Sequence, residues 1–422
     1  MALIEKRAAV TALDYILKWC VLCTIFCLPF SKSIVEIAIA VALIAMAAKK
    51  ITLKEGFLPD VPLITPLLIF IALSALSFFN TEFLALSLRG FVTKIAKWAF
   101  LYYVVVEAID TKEKLKDLLM FSLLSFCIIV FDGFLQYYVL HVDVLHYYPS
   151  FKYLGPHFPM PFIGFPTASF PYPNDLGSWL LIYLLPILSV ATFGLISWAG
   201  RIRWAALWIP GFFLFVLTKA RSAWLGFIAA LFFVMALNIR RALAVLIIAV
   251  IVISVAGAIN ATMPSDSEHR TSLVGDIFSL ASIGDRVVMW RNGWKIFKEH
   301  PIVGSGVNTF FMNYMRVRDD EYKNKKGSYA HNCFLQMAAD IGALGLGGFL
   351  LVLGTLFISS VRGIMKIRNG FYSALAGGLL AGIFAFLVHA FFDTNLYSLN
   401  LAALFWAACG IETAIIRIAA HE

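Results

Sequence analysis

Three short stretches combine residue types that could do chemistry. The first is Thr218-Lys219-Ala220-Arg221-Ser222, two cations in a tight turn between apolar runs. Arginine suits phosphate because its planar fork offers parallel donors and keeps its charge. Long basic side chains also snorkel to a membrane surface without binding anything, so an anion site and simple snorkelling both fit this turn. The second stretch is 283–299, which reads as a helix capped by Ser282 or Asp285 and stopped by Pro301. Helical spacing puts Arg286, Trp290, Gly293 and Phe297 on one face. Arg291, Lys295 and Lys298 form a basic stripe on another, the pattern of a solvated face. Arg286 in a first turn would gain nothing from the helix dipole, so a cation there points to a partner anion. The third stretch is Ser328 to Gln336, with His331 expected in the first turn of a span. A helix N-terminus disfavours imidazolium, leaving a neutral ring able to accept a proton. A structural histidine bonded to a loop carbonyl fits the position equally well.

Other candidates are weaker. His141, His146 and His157 are irregularly spaced and lack a carboxylate pattern for a metal. His389 and Asp393, one turn apart, read as a structural pair. No acidic cluster, P-loop or Ser-His-Asp order is present, so the expected metal site and cofactor are none. Cys20, Cys23, Cys27, Cys127 and Cys409 lie in apolar runs and read as small hydrophobes. Gly342, Gly345, Gly347 and Gly348 read as surfaces for close helix packing.

The elements that position these residues must be membrane helices. Of 422 residues 61% are hydrophobic and 14% charged, too little polar surface for a soluble fold of this length. The net charge of +9 then concerns topology before it concerns nucleic acid, and no nucleic-acid partner is expected. Apolar runs at 13–30, 33–48, 61–79, 93–109, 116–139, 174–195, 203–219, 222–239, 241–259, 330–360, 371–392 and 397–417 predict about twelve spans in an all-α, polytopic membrane protein forming a single unit over 1–422. Alternate short loops carry Lys49 and Lys50, Lys112, Lys114 and Lys116, Arg201 and Arg203, then Arg362, Lys366 and Arg368. The positive-inside rule places these loops and both termini in the cytoplasm. An aromatic loop at 140–173 and a large helical loop at 260–329 then face outward, with all three stretches above. The aromatic residues of the first loop, Phe151 to Tyr172, fit the membrane interface. Scattered Glu36, Glu107 and Asp132 argue against a transporter, which would gather polar groups at mid-membrane.

His331-Asn332 followed by nine residues, Gly342, two residues and Gly345 resembles the signature of the bacterial O-antigen ligase family. Arg221 in its Lys-Ala-Arg-Ser turn, Arg286 with Trp290 and Gly293, His300-Pro301-Ile302 with Gly304 and Gly306, and Pro173-Asn174 are also similar to the pattern of the wider ligase and polymerase group. The likeness covers about residues 165–395; Asp340 stands where many relatives carry Glu. The resemblance implies a GT-C-like, inner-membrane, metal-independent and inverting glycosyltransferase with a periplasmic site. Its donor would be a glycan on undecaprenyl diphosphate and its acceptor a sugar hydroxyl of the lipid A core. It casts His331, Arg286 and Arg221 as catalytic and Arg221, Arg286 and Lys219 as diphosphate ligands. Trp290, Asn332, Asn174 and Arg291 would be substrate contacts. An O-antigen polymerase, which shares the donor, is the nearest alternative.

Overall fold

A computed structural model describes residues 2–58, 60–146, 165–237, 280–318 and 329–420. Fourteen α-helices follow one another among them: α1 (Ala2–Cys27), α2 (Lys32–Leu53), α3 (Ile64–Ala75), α4 (Leu84–Gly90), α5 (Lys97–Ala108), α6 (Lys112–Leu135), α7 (Pro173–Phe193), α8 (Trp198–Leu217), α9 (Arg221–Leu237), α10 (Leu280–Glu299), α11 (Phe310–Val317), α12 (Cys333–Ile364), α13 (Gly370–Ala390) and α14 (Leu399–Ala419). Within this set seven helices are long and apolar enough to cross a membrane: α1, α6 with its π-helical continuation to Leu140, α7, α8, α12, α13 and α14. The chain is thus an all-α, multi-pass membrane protein. The expected count of about twelve is not reached among the described residues. The 61–79 run forms a shorter apolar helix, Ile64–Phe79, as does Arg221–Met235. The run at 93–109 is divided between a π-helical turn, Phe91–Ala96, and the twelve-residue α5. The 241–259 run lies outside the described residues, as do 260–279 and 319–328.

Helices α7, α13 and α14 form the buried centre, and most of their residues are inaccessible. Ser189 on α7 donates to the carbonyl of Ala374 on α13 at 2.7 Å, which satisfies a hydroxyl in an apolar setting. Phe126, Trp179 and Tyr183 stack between α6 and α7, and Phe349, Phe405 and Trp406 join α12 to α14.

Charge is sorted between the two ends of the bundle. At one end Asp14 accepts from Lys49 at 2.7 Å and Lys114 at 2.6 Å, Lys50 pairs with Glu107 at 3.0 Å, and Arg417 caps the carbonyls of Val106 and Ile109. Arg201 likewise donates to the last carbonyls of α7. These are the basic loops from which the sequence assigned orientation. The turns after α8 and α13 and the start of α12 lie at the opposite end.

Helix α12 is broken once. Gly342 has φ 69° and ψ −176°, a conformation closed to ordinary side chains. The turn at Pro301–Gly306 docks into the break: Ala343 N–H donates to the carbonyl of Pro301 at 2.8 Å, and Ser305 and Gly306 N–H donate to the carbonyls of Ala339 and Asp340. Gly342 therefore serves a chain break rather than the close helix packing expected of it. Gly348 does pack closely, its added Cβ falling 3.0 Å from Cα of Phe70, while Gly347 faces open space.

Candidate functional site

The site begins at the start of α12. Asn332 caps that helix, its side chain accepting from Leu335 N–H at 3.0 Å. His331 stands just before the cap, not in the first turn as the sequence had it. Its φ of 48° is the left-handed region that few non-glycine residues enter. That backbone turns the imidazole toward the segment following α13. There Nδ1 of His331, itself buried, lies 3.5 Å from Oδ1 of Asp393. The side chain as a whole is 40% exposed, so its accessible part is the remainder of the ring.

Asp393 is fixed from several directions. Asn174, at the start of α7, donates its amide to Oδ2 at 2.7 Å, and Thr394 N–H donates to Oδ1 at 2.8 Å. Cys333 donates its thiol to the Asp393 carbonyl at 3.2 Å. His389, one turn before, does not pair directly with Asp393 by any hydrogen bond. Its Nε2 instead donates to the backbone carbonyl of Asn174 at 3.3 Å. Burial pushes the Asp393 carboxyl up. The nearby rings of His331 and His389 and the Thr394 N–H together hold it well below the usual carboxylate range. A carboxylate that stays ionised beside Nδ1 selects the tautomer with the proton on Nδ1 and leaves Nε2 as the acceptor.

Helix α10 covers this corner. Trp290 donates its indole N–H to the carbonyl of His331 at 3.3 Å, and its ring lies 6.3 Å from those of Phe391 and Phe392. Gly293 lets the helix approach Leu335. The expected face of Arg286, Trp290, Gly293 and Phe297 is therefore the face turned to α12. Arg286, half-buried, sits one turn from the Trp290 contact. Because α10 begins at Leu280, Arg286 is in the second turn, and neither Ser282 nor Asp285 precedes the helix to cap it. On the other side Arg291 and Lys298 are exposed, Lys298 lying 5.9 Å from the Trp294 ring.

Arg221 opens α9, so it is the arginine that a helix dipole disfavours. The turn before it places Lys219 at φ 49°, with Nζ 5.5 Å from the Phe165 ring. Ala220 and Ala223 pack against Gly177, where an added Cβ would fall 2.8 and 3.2 Å away. Gly177 is one turn from Asn174, which anchors Asp393. Arg221 is thereby brought to the same end of the bundle as His331 and Arg286.

Sequence reasoning missed the pairing of His331 with Asp393 and the engagement of Asn174 with that carboxylate. No spacing signal could have shown it, since Asn174, His331 and Asp393 come from three distant segments. Asn332 and Asn174, expected at substrate, spend their side chains on a helix cap and on Asp393. Asp340 also has a structural part: buried, it accepts from Asn308 N–H at 3.2 Å and ties down the turn that fills the α12 break. His146 donates from Nε2 to the Phe30 carbonyl at 2.8 Å and is held near Asp143. His157, Phe151, Tyr153, Phe158 and Phe162 fall outside the described residues.

The fold and site define a multi-pass helical membrane protein with His331 beside the Asp393 carboxylate and arginines gathered at one end. Residues 204–350 match the family model described as O-antigen ligase. The match contains Arg221, Arg286, Trp290 and His331, whereas Asn174 and Asp393 lie beyond its limits. No curated protein matches the chain.

Proposed function

We propose that the protein is an O-antigen ligase that transfers a glycan from undecaprenyl diphosphate to a sugar hydroxyl of the lipid A core. The observation that carries this reading is the His331 ring, with Nδ1 3.5 Å from the Asp393 carboxylate and its other edge accessible. The acceptor hydroxyl gives its proton to Nε2 while its oxygen attacks the anomeric carbon. The bond from that carbon to the diphosphate oxygen breaks, and the electron pair leaves with undecaprenyl diphosphate. Attack opposite the leaving group inverts the centre without a covalent intermediate. Asp393 stabilises the imidazolium that forms. Arg221 and Arg286 bind the diphosphate and offset the charge it gains on leaving. Lys219 adds a further cation, and Trp290 and Arg291 border the space for glycan or core. No metal is required, because the diphosphate lipid is already activated. The end bearing His331 faces the periplasm of the inner membrane, and the basic end with both termini faces the cytoplasm.

The test is transfer between purified lipid-linked glycan and lipid A core. His331→Ala is expected to lower turnover by roughly 10²–10⁴, the usual worth of a general base, while donor binding persists. Near-normal turnover in that variant would remove the base assignment. In cells, loss of the gene should leave bare core and long glycan on the carrier lipid; core capped by a single repeat would mark a polymerase instead.

A further inference from the structure

We infer that a cavity in the half of the bundle remote from His331 holds an acyl chain of an anionic phospholipid from the leaflet at the basic end. The cavity is an open-sided recess whose enclosed and open space together come to about 640 Å³. Its inner wall, including Ile182, Pro186, Leu379 and Ile415, is buried. Its outer side is not: Leu119, Ser122 and Leu123 of α6 and Trp204 of α8 are only half-buried.

The opening has a geometric cause. Toward the His331 end α6 and α8 are in close contact, with Gly133 against the Leu214 side chain and Gly211 against the ring of Phe126. Phe134 and Phe213 stack there at 5.9 Å. The cavity-lining residues of these two helices belong to the other half, at Leu118–Leu123 and Trp204, where the cavity separates them. A lateral opening at that depth meets hydrocarbon rather than water, and an open-sided apolar recess there is filled by what the bilayer supplies.

Charge at the mouth selects the headgroup. Lys116, Leu119 and Leu123 share one face of α6 at helical spacing, and Lys116 is exposed one turn beyond the cavity toward the basic end. Arg203 adjoins Trp204, is exposed, and donates from Nε only to its own helix at Ala199. Among the described residues neither cation forms an ion pair, in contrast to Lys49, Lys50 and Lys114 at the same end. An anionic headgroup would satisfy both while its chain enters between α6 and α8.

Native mass spectrometry of the purified full-length protein tests this directly, with dioleoyl phosphatidylglycerol, dioleoyl phosphatidylethanolamine and undecaprenyl phosphate as separate probes. Phosphatidylglycerol is expected to be retained as one preferred adduct, and the Lys116→Glu/Arg203→Glu double variant to reduce it by at least about tenfold, given about 1 kcal/mol for each basic residue near an anionic surface. Ser122→Trp, which fills the recess, is expected to abolish retention. Equal binding of phosphatidylethanolamine, undisturbed retention in the folded double variant, or displacement of phosphatidylglycerol by equimolar undecaprenyl phosphate would each overturn the inference. Both changed charges are on the surface, so the double variant decides even if Ser122→Trp fails to fold. The readout is binding, so its failure is separate from any failure of the proposed glycan transfer.

Discussion

The two ends of the bundle treat charge differently. At the basic end carboxylates meet amines across helices: Asp14 holds Lys49 and Lys114, and Glu107 holds Lys50. Charge there is consumed in fastening α1, α2, α5 and α6 to one another. At the other end Asp393 is held by an amide, a backbone N–H and an imidazole, none of which is a fixed cation. Its negative charge remains available to stabilise a proton on His331. A fixed ion pair builds structure, whereas a carboxylate facing a titratable ring builds a device that can change state.

This contrast can be broken in graded steps. After His331→Ala, the largest loss is expected from Arg286→Ala and Arg221→Ala, about 10²–10³ in turnover if each stabilises the leaving diphosphate. Lysine at either position should rescue poorly because it lacks the two-pronged fork, and comparison of turnover with donor affinity measures both effects. Asp393→Asn is expected to cost about 10–100-fold, as for loss of a residue that orients a functional histidine, with the donor still bound. Gly342→Ala forces a side chain into a left-handed break already filled by the Ile302 carbonyl, and should destabilise by about 1–3 kcal/mol in thermal unfolding. Asp14→Asn at the basic end should lower stability by about 1 kcal/mol, since its pairs are partly solvated, and leave turnover of the folded protein unchanged. Loss of catalysis from Asp14→Asn comparable to that from Asp393→Asn would erase the distinction between the ends.

The resemblance carried by His331, Gly342 and Gly345 was legible because it is local in sequence, as was the arginine face of α10, whose spacing follows the helical repeat. The multi-pass all-α class followed from composition. What could not be read was the meeting of distant segments. Asp393 lies 62 residues from His331 and reaches it only because Asn395 and Cys333 fasten the turn after α13 to the start of α12. His389 looked like the partner of Asp393 through local spacing, yet the ring is used on the Asn174 carbonyl. Gly342 looked like a packing glycine because its positive φ depends on the Pro301–Gly306 turn, which docks from another segment. Hydropathy also measures apolar length without seeing a π-helical turn such as Phe91–Ala96, which divides one expected span.

The central claim is that an ionised Asp393 governs protonation of His331 during transfer. Burial and its hydrogen-bond partners have opposed effects on Asp393, and the net depression keeps it ionised as pH falls through the ordinary carboxylate range. The stability its ionised form contributes is therefore present above that range and is lost only at still lower pH. The direct measurement is the single-turnover rate of transfer in wild type and Asp393→Asn with donor saturating. Removing the carboxylate withdraws the charge that stabilises the imidazolium formed in transfer, so the maximal rate of the variant should fall by about 10–100-fold with the donor still bound. An unchanged maximal rate, or a loss confined to donor affinity, would contradict the account.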